Sequence, residues 1–431
     1  SSPTTVRRTR FTNKTPKPDR EPKSRGHHSA LSNNGIRPTR TEARTRRDRV
    51  ARILIVYVAY LDVGDLMKAS DLFVQCLEEE GVTHIFGVPG EENADVMISL
   101  LDSKIEFVLC RHEQAAAFMA DAFGRLTGKA GVCLGTLGPG ATNLVTGVAD
   151  ANMDRAPLIA IIGQASTRRL HKESHQNMDS ITMFGPITKW AQSITSPDNI
   201  AEVVRKAFKI AESEKPGACV IELPENIAEE QTDHTPMSRH KTRRAAADHK
   251  AIKQAIELIV GAKNPIILAG NGAVRKRASK QLQRLAHKTG IGVVNTFMGK
   301  GAVPRNDTHC MFTLGLQGRD HINAALDEAD VVVAVGYDLV EYSPEHWNVS
   351  GGKSIIHIDF FPAEVDQCYP VAVDVVSDVA DALWQMNEMI NERFGAKLPL
   401  FDINNRGPLR QTILDDFAME KDDVSFPMKP Q

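Results

Sequence analysis

The residues best suited by type and spacing to do chemistry are a carboxylate at the start of a helix and two glycine-rich turns. Residues 105–125, IEFVLCRHEQAAAFMADAFGR, form a short apolar run that turns at Arg111 and His112 into a helix whose first turn carries Glu113. Positions three and four apart share a helix face, so Glu113 stands in line with Ala116, Ala117, Ala120 and Gly124. A face shaved of bulk lets another backbone, a helix or a ligand come close, and it sets a carboxylate where little water fits. Such a group can hold or move a proton; its plainer role is that of a helix-start acid favoured by the macrodipole. Residues 135–144, GTLGPGATNL, place three glycines ahead of a helix starting near Ala141, which leaves N–H groups free to face a ligand. Gly87-Val88-Pro89-Gly90 forces a tight turn. His171 and His175 stand four apart in HKESH, but the intervening Glu is not at the second position of H-E-x-x-H, and no metal ligand is assigned.

These residues need elements to position them, and the chain supplies an alternation of helix and strand. A stripe of Leu72, Phe73, Cys76 and Leu77, closed by Gly81, reads as a helix over 68–80. Strands follow over 83–88, 105–110, 131–134, 157–163, 187–194 and 218–223, with helices near 93–101, from 113, from 141 and over 200–214. Repeated βα units imply a mainly parallel sheet with helices on both faces. Ligands of such sheets bind at the carboxyl ends of the strands. Gly87 to Gly90, Glu113, Gly135 to Gly140 and Gly163-Gln164 all fall there.

Residues 229–248 are polar and basic and read as a linker. A second α/β unit follows, with helices over 249–260, 275–288, 321–326 and 377–394 and strands over 265–268, 291–295, 331–336 and 354–358. The expected fold is therefore α/β, with two consecutive doubly wound, mainly parallel-sheet domains over 66–228 and 249–396, the second Rossmann-like. Gly270-Asn271-Gly272 lacks the third spaced glycine of a dinucleotide fingerprint, and NAD is not predicted from it.

A length of 431 residues suits two or three domains on a scale of about 150 residues each. The formal net charge of −2 hides an asymmetry. Residues 1–52 hold fifteen Lys or Arg against four acids, a net of +11, which leaves −13 for the remainder. Residues 1–65 are expected to be a disordered basic extension, because residues 1–52 have too little apolar surface to offset the entropy of ordering. A nucleic-acid arm or a transit peptide has this composition; the plainer reading is upstream-derived sequence, since the first well-patterned helix opens at Met67. Basic charge confined to such a segment argues against nucleic acid as the partner of the folded part. Residues 53–61, ILIVYVAYL, are too short for a membrane span, which takes about 20 apolar residues. Six cysteines scattered singly, at positions 76, 110, 133, 219, 310 and 368, suit a reducing compartment. A cytoplasmic protein without a membrane anchor is expected.

The ordered series FGVPG, RHEQAAAFMADAFGR, LGTLGPGATNL, PLIAIIGQ, SHQNMDSITMFGPITKW and PGACVIELPEN resembles the pyrimidine-binding domain of thiamine-diphosphate enzymes of the acetolactate synthase type. The later series NPIILAGNGA, DVVVAVGYDLVEYSPEHWN and SIIHIDFFPAEVD resembles that family's central domain. The resemblance implies that Glu113 hydrogen-bonds N1′ of the cofactor's aminopyrimidine. That contact favours the imino tautomer, whose nitrogen takes the thiazolium C2 proton, with the ring acting as electron sink. By the same resemblance Val88, Pro89 and Gly90 lie near the pyrimidine. His175 and Gln176 stand at the substrate end, with Gln176 positioned to hydrogen-bond a keto-acid oxygen. Flavin-bound members usually carry Phe before that Gln; His175 and residues 336–348 resemble the fermentative, flavin-independent branch. The implied reaction is decarboxylation of pyruvate and its condensation with a second pyruvate to 2-acetolactate, with thiamine diphosphate and Mg²⁺ and without FAD, in a homodimer or homotetramer.

The family's diphosphate-binding domain carries a Gly-Asp-Gly motif that helps hold Mg²⁺, and this sequence contains none. Residues 397–431 read as a linker towards that domain, so the chain is expected to be a fragment that is inactive alone. The alternatives are a truncated relative acting as a binding or oligomerisation partner, or a family enzyme such as pyruvate oxidase, sulfoacetaldehyde acetyltransferase or a keto-acid decarboxylase.

Overall fold

The computed structural model describes residues 66–240, 243–315 and 321–420. The basic extension expected over 1–65 lies outside the described residues, as do residues 241–242 of the linker and the part of 397–431 beyond residue 420.

The first domain is built on a six-stranded sheet of β1 (His84–Gly87), β2 (Glu106–Leu109), β3 (Gly131–Gly135), β4 (Leu158–Gln164), β5 (Trp190–Ser193) and β6 (Ala218–Pro224), in the spatial order β2-β1-β3-β4-β6-β5. Every neighbouring pair is parallel. The central strands β3, β4 and β6 are buried along their whole length, because helices cover both faces and no residue can alternate out to water. Helices α1 (Ala69–Glu79) and α6 (Ile200–Glu212) pack one face through Leu72, Phe73, Leu77, Val204 and Phe208. Helices α3 (Glu113–Thr127) and α4 (Pro139–Met153) pack the other through Ala116, Ala117, Ala120, Leu144 and Val148. Smaller helices α2 (Ala94–Ser99), α5 (Ser180–Phe184) and α7 (Glu225–Glu229) fill the connections. Met67 and Lys68 pair antiparallel with Thr232 and Gln231, which ties the start of the domain to its exit.

The second domain repeats the design with β7 (Ile266–Ala269), β8 (Val293–Asn295), β9 (Cys310–Thr313), β10 (Val331–Val335), β11 (Ser354–Asp359) and β12 (Val371–Val376), ordered β9-β8-β7-β10-β11-β12 and parallel throughout. Helices α8 (His249–Gly261), α9 (Lys276–Thr289) and α11 (Val379–Phe394) cover one face, and α10 (His321–Asp327) contributes to the core on the other.

The two outer strands β9 and β12 are not predicted by the sequence reading. Only one residue of β12 is fully buried, so its apolar signal is diluted, and Cys310 to Thr313 is a short run between polar turns. The stretch expected as a linker over 397–431 is helical at α12 (Gly407–Glu420). Ile413 of α12 is buried in the second core, with Leu409 and Leu414 packed beside it, and Phe417 meets Phe312 edge-on at a centroid distance of 5.3 Å.

Charged side chains fasten the domains together. Lys215 bridges Asp338 and Asp359, Arg275 bonds Glu214 at 2.6 Å, and Asn271 Nδ2 donates to the Asp154 carbonyl at 2.9 Å. Burial raises the Asp359 carboxyl above its usual value, with Lys215 opposing the shift. The pair is therefore a fixed, desolvated contact rather than a surface bridge, of the kind whose breaking leaves an uncompensated charge.

Candidate active site

Helix α3 begins at Glu113, with His112 as its cap: His112 Nδ1 accepts from the Gln114 N–H at 3.1 Å. The small-residue face is buried as expected, but its occupant is the protein itself. A Cβ on Gly147 of α4 would lie 2.6 Å from Ala117 Cβ, and one on Gly131 of β3 would lie 2.0 Å from the Ala120 carbonyl oxygen. The alanines therefore let α4 and β3 approach α3, and only the first residue of the face, Glu113, reaches the loop edge of the sheet. Glu113 is 8% exposed. Its Oε2 accepts from Asn143 Nδ2 at 2.9 Å, whereas Oε1 has no hydrogen-bond partner among the described residues.

The glycine loops converge on this carboxylate. Helix α4 starts at Pro139, two residues before the expected Ala141, because proline's fixed φ suits the first helical position. Gly138 supplies the preceding turn at φ 51°. A Cβ on Gly140 would lie 3.5 Å from Glu113 Oε1 and 2.8 Å from Thr136 Cγ2, and one on Gly90 would lie 2.5 Å from Thr136 Cβ. Thr136 Oγ1 donates to Glu92 Oε2 at 2.7 Å, and the Gly90 N–H donates to Asn93 Oδ1 at 2.8 Å. The Val88-Pro89-Gly90 turn, the 135–140 loop and Glu113 thus form one continuous edge. Val88 is half-buried and Pro89 is exposed there.

Gln176 joins this edge through its backbone: a Cβ on Gly138 would lie 2.6 Å from the Gln176 carbonyl oxygen. Gln176 holds a left-handed φ of 52°, a conformation that costs a non-glycine residue about 1–3 kcal/mol and clusters at functional sites. His175 and the Gln176 side chain are exposed. The segment is anchored at its far end, where Gln164 Nε2 donates to the Met178 carbonyl and to Glu222 Oε2, both at 3.0 Å. Burial pushes the Glu222 carboxyl up, opposed by hydrogen bonds from Ser193, Gln164 and Ser180.

The N-terminal TPP binding domain profile of the thiamine pyrophosphate enzymes matches residues 67–183, and the central domain profile of the same enzymes matches residues 252–386. Together they cover more than half of the chain, and the first contains every residue of this edge. This chain belongs to the thiamine pyrophosphate enzymes. It is 38% identical over 320 residues to an acetolactate synthase of Bacillus subtilis, covering 73% of this chain and 56% of the relative. It is 40% identical over 328 residues to a catabolic acetolactate synthase of Raoultella terrigena, covering 75% and 58%. It is 37% identical over 335 residues to a probable acetolactate synthase large subunit of Methanocaldococcus jannaschii, covering 74% and 55%. The chain thus spans a little over half the length of these relatives.

The edge of this thiamine pyrophosphate enzyme fits an aminopyrimidine. A carboxyl group on a buried residue, with one oxygen free of protein donors among the described residues, is suited to share a proton with a ring nitrogen, and the glycines leave the loop backbone bare around it. Asn143, which fixes Glu113, and the Thr136–Glu92 pair beside it carry no role in the sequence reading. Asn143 lies on a different helix, thirty positions away, and no periodicity within either helix points to that contact.

In the central domain the strand order reverses between β7 and β10, the switch point where such sheets take ligands. Here Glu341, 3% exposed, fills the crevice. Its Oε1 and Oε2 each accept from the Asn271 N–H at 3.1 Å, Oε1 accepts from the Asp338 N–H at 2.9 Å, and Oε2 accepts from Thr296 Oγ1. Gly270 and Gly272 press directly on Gly336. Burial pushes the Glu341 carboxyl up to about 7, with the Thr296, Asp338 and Asn271 hydrogen bonds opposing it.

Proposed function

We propose that this chain supplies the pyrimidine-binding and central domains of an acetolactate synthase that condenses two pyruvates to 2-acetolactate. The observation that carries the reading is the Glu113 carboxylate, buried at the glycine-loop edge with one oxygen fixed by Asn143 and the other unpartnered among the described residues. Thiamine diphosphate, bound with Mg²⁺ at its diphosphate, supplies the carbon nucleophile and electron sink that keto-acid chemistry needs. Glu113 would share a proton with N1′ of the pyrimidine through a hydrogen bond, and Asn143 holds its carboxyl group in place. Val88, Pro89 and Gly90 form the wall beside the ring. His175 and Gln176 lie on a segment pressed against Gly138, where Gln176 can donate to a keto-acid oxygen. The relatives named acetolactate synthase support acetolactate formation over the oxidase, acetyltransferase and decarboxylase alternatives.

A flavin-free central domain is part of the proposal, and Glu341 in the switch-point crevice supports it, because its side chain occupies the crevice and is held there by four hydrogen bonds from three donors. Self-association is also part of it. Phe118, Met119 and Leu126 are 38%, 45% and 87% exposed in a stripe on the outer side of α3, directly behind Glu113, which suits a second copy of the chain. Five of the six cysteines are buried and all are free, which agrees with a reducing, cytoplasmic setting. Among the described residues no helix is long and apolar enough to cross a membrane.

The test is product analysis after pyruvate feeding of the full-length enzyme that carries this region, wild type against Glu113→Gln. Acetolactate is the expected product, and Glu113→Gln is expected to lower the rate by about 10²–10⁴-fold, the range for a lost proton-transfer partner. Acetaldehyde or acetyl phosphate as the main product, or an unchanged rate in the variant, would sink the proposal.

A further inference from the structure

We propose that His287, Asp307 and His309 form a structural binding site for a divalent transition-metal ion of the zinc class, on the central domain and separate from the Glu113 edge. His287 lies in the last turn of α9, and Asp307 and His309 lie on the loop that enters β9. One donor atom from each residue lies within 4.8 Å of the others. His287 Nε2 is 2.7 Å from Asp307 Oδ2, and His309 Nδ1 is 3.1 Å from Asp307 Oδ1. In a tetrahedral zinc site with bonds of about 2.0–2.2 Å, neighbouring donors lie roughly 3.3 Å apart. The two contacts reach different oxygens of the carboxylate, so Asp307 must rotate for one oxygen to stand at that spacing from both nitrogens.

The two imidazoles stack, with centroids 4.5 Å apart and planes at 26°, so one of them must turn for both lone pairs to reach one ion. His287 can do so, since its side chain is 56% exposed, whereas His309 is 9% exposed and fixed. The loop is already built. Asp307 N–H donates to the Pro304 carbonyl at 2.9 Å, Val293 N–H donates to the His309 carbonyl at 2.8 Å, and His309 N–H donates to Asp307 Oδ1 at 2.9 Å.

Arg410 points its guanidinium at the main-chain carbonyls of Arg305, Asp307 and Cys310. Two imidazole nitrogens and one carboxylate leave a fourth position for water, a set that favours zinc-class ions over magnesium or calcium. A bound ion would clamp the β9 loop to the end of α9 and stabilise the central domain by mass action.

The test is titration of the purified chain with zinc chloride by calorimetry, alongside thermal unfolding with zinc and with EDTA. Expected are one zinc per chain, a melting temperature raised by zinc and restored by EDTA, and no comparable heat from magnesium. Affinity should fall by at least about 10–100-fold in His287→Ala, the range already seen for losses behind the ligands. Because His287 is exposed, that variant should fold even if a His309 variant does not. No saturable zinc heat, or an isotherm unchanged in His287→Ala and lost in Cys368→Ser, would overturn the site.

Discussion

Replacing Glu341 by Gln keeps the shape of the side chain in the central crevice while removing its ability to ionise. Glu341 titrates near 7 in the fold against an ordinary value of 4.5, so the folded protein holds this proton more tightly than the unfolded chain. The stability it contributes is fully present below the unfolded value and is lost as pH rises through the folded one. A gap of that size corresponds to about 3 kcal/mol, of which about 2.5 kcal/mol falls between about pH 5 and about pH 8. The Gln variant loses none of it, since its side chain has no proton to release as pH rises and its amide oxygen can still accept from the Asn271 and Asp338 N–H groups. Urea unfolding at several pH values, followed by tryptophan fluorescence, reads the effect: Trp347 and Trp384 lie in the central domain and Trp190 in the first. The other raised carboxyls, Glu80, Glu214, Glu222 and Asp359 among them, are common to both proteins and cancel. The stability of Glu341→Gln relative to wild type should therefore climb by about 2.5 kcal/mol across that range. A difference that stays flat with pH would mean that Glu341 is not desolvated, and the closed-crevice argument would fail with it.

Gly138→Ala should destabilise the first domain by about 1–3 kcal/mol, since the new Cβ meets a backbone carbonyl in a left-handed residue; an unchanged melting temperature would show that the 176 segment does not press on the loop. Phe118→Asp on the outer face of α3 should weaken self-association by about 10–100-fold, the equivalent of exposing one aromatic side chain. Sedimentation velocity reads it, and an assembly unaffected by the change would move the interface elsewhere. The loss of rate in Glu113→Gln should come with an unchanged melting temperature, because the Asn143 hydrogen bond survives on the amide oxygen.

Much of the site is legible in the linear chain because its cues are local. Glycines before a helix and an alanine face behind an acid are both short-range patterns. What stays hidden is of two kinds. Edge elements carry a diluted signal: β12 buries only Val375 fully, and α12 contributes mainly Leu409, Ile413, Leu414 and Phe417 to packing. Partners across the fold carry none, since Asn143 against Glu113 and Glu341 against Asn271 depend on how separate elements are stacked rather than on any spacing.

By itself, then, the sequence determined the alternation of strands and helices, the two parallel sheets and the acid at the loop edge, because hydrophobic periodicity and turn residues act over a few positions. The tertiary structure decided which groups face that acid, that the alanine face receives α4 rather than a ligand, that Glu341 fills the second crevice, and that two histidines and an aspartate meet. Those contacts join residues many positions apart, and only the packing of the sheets and their helices brings them within bonding distance.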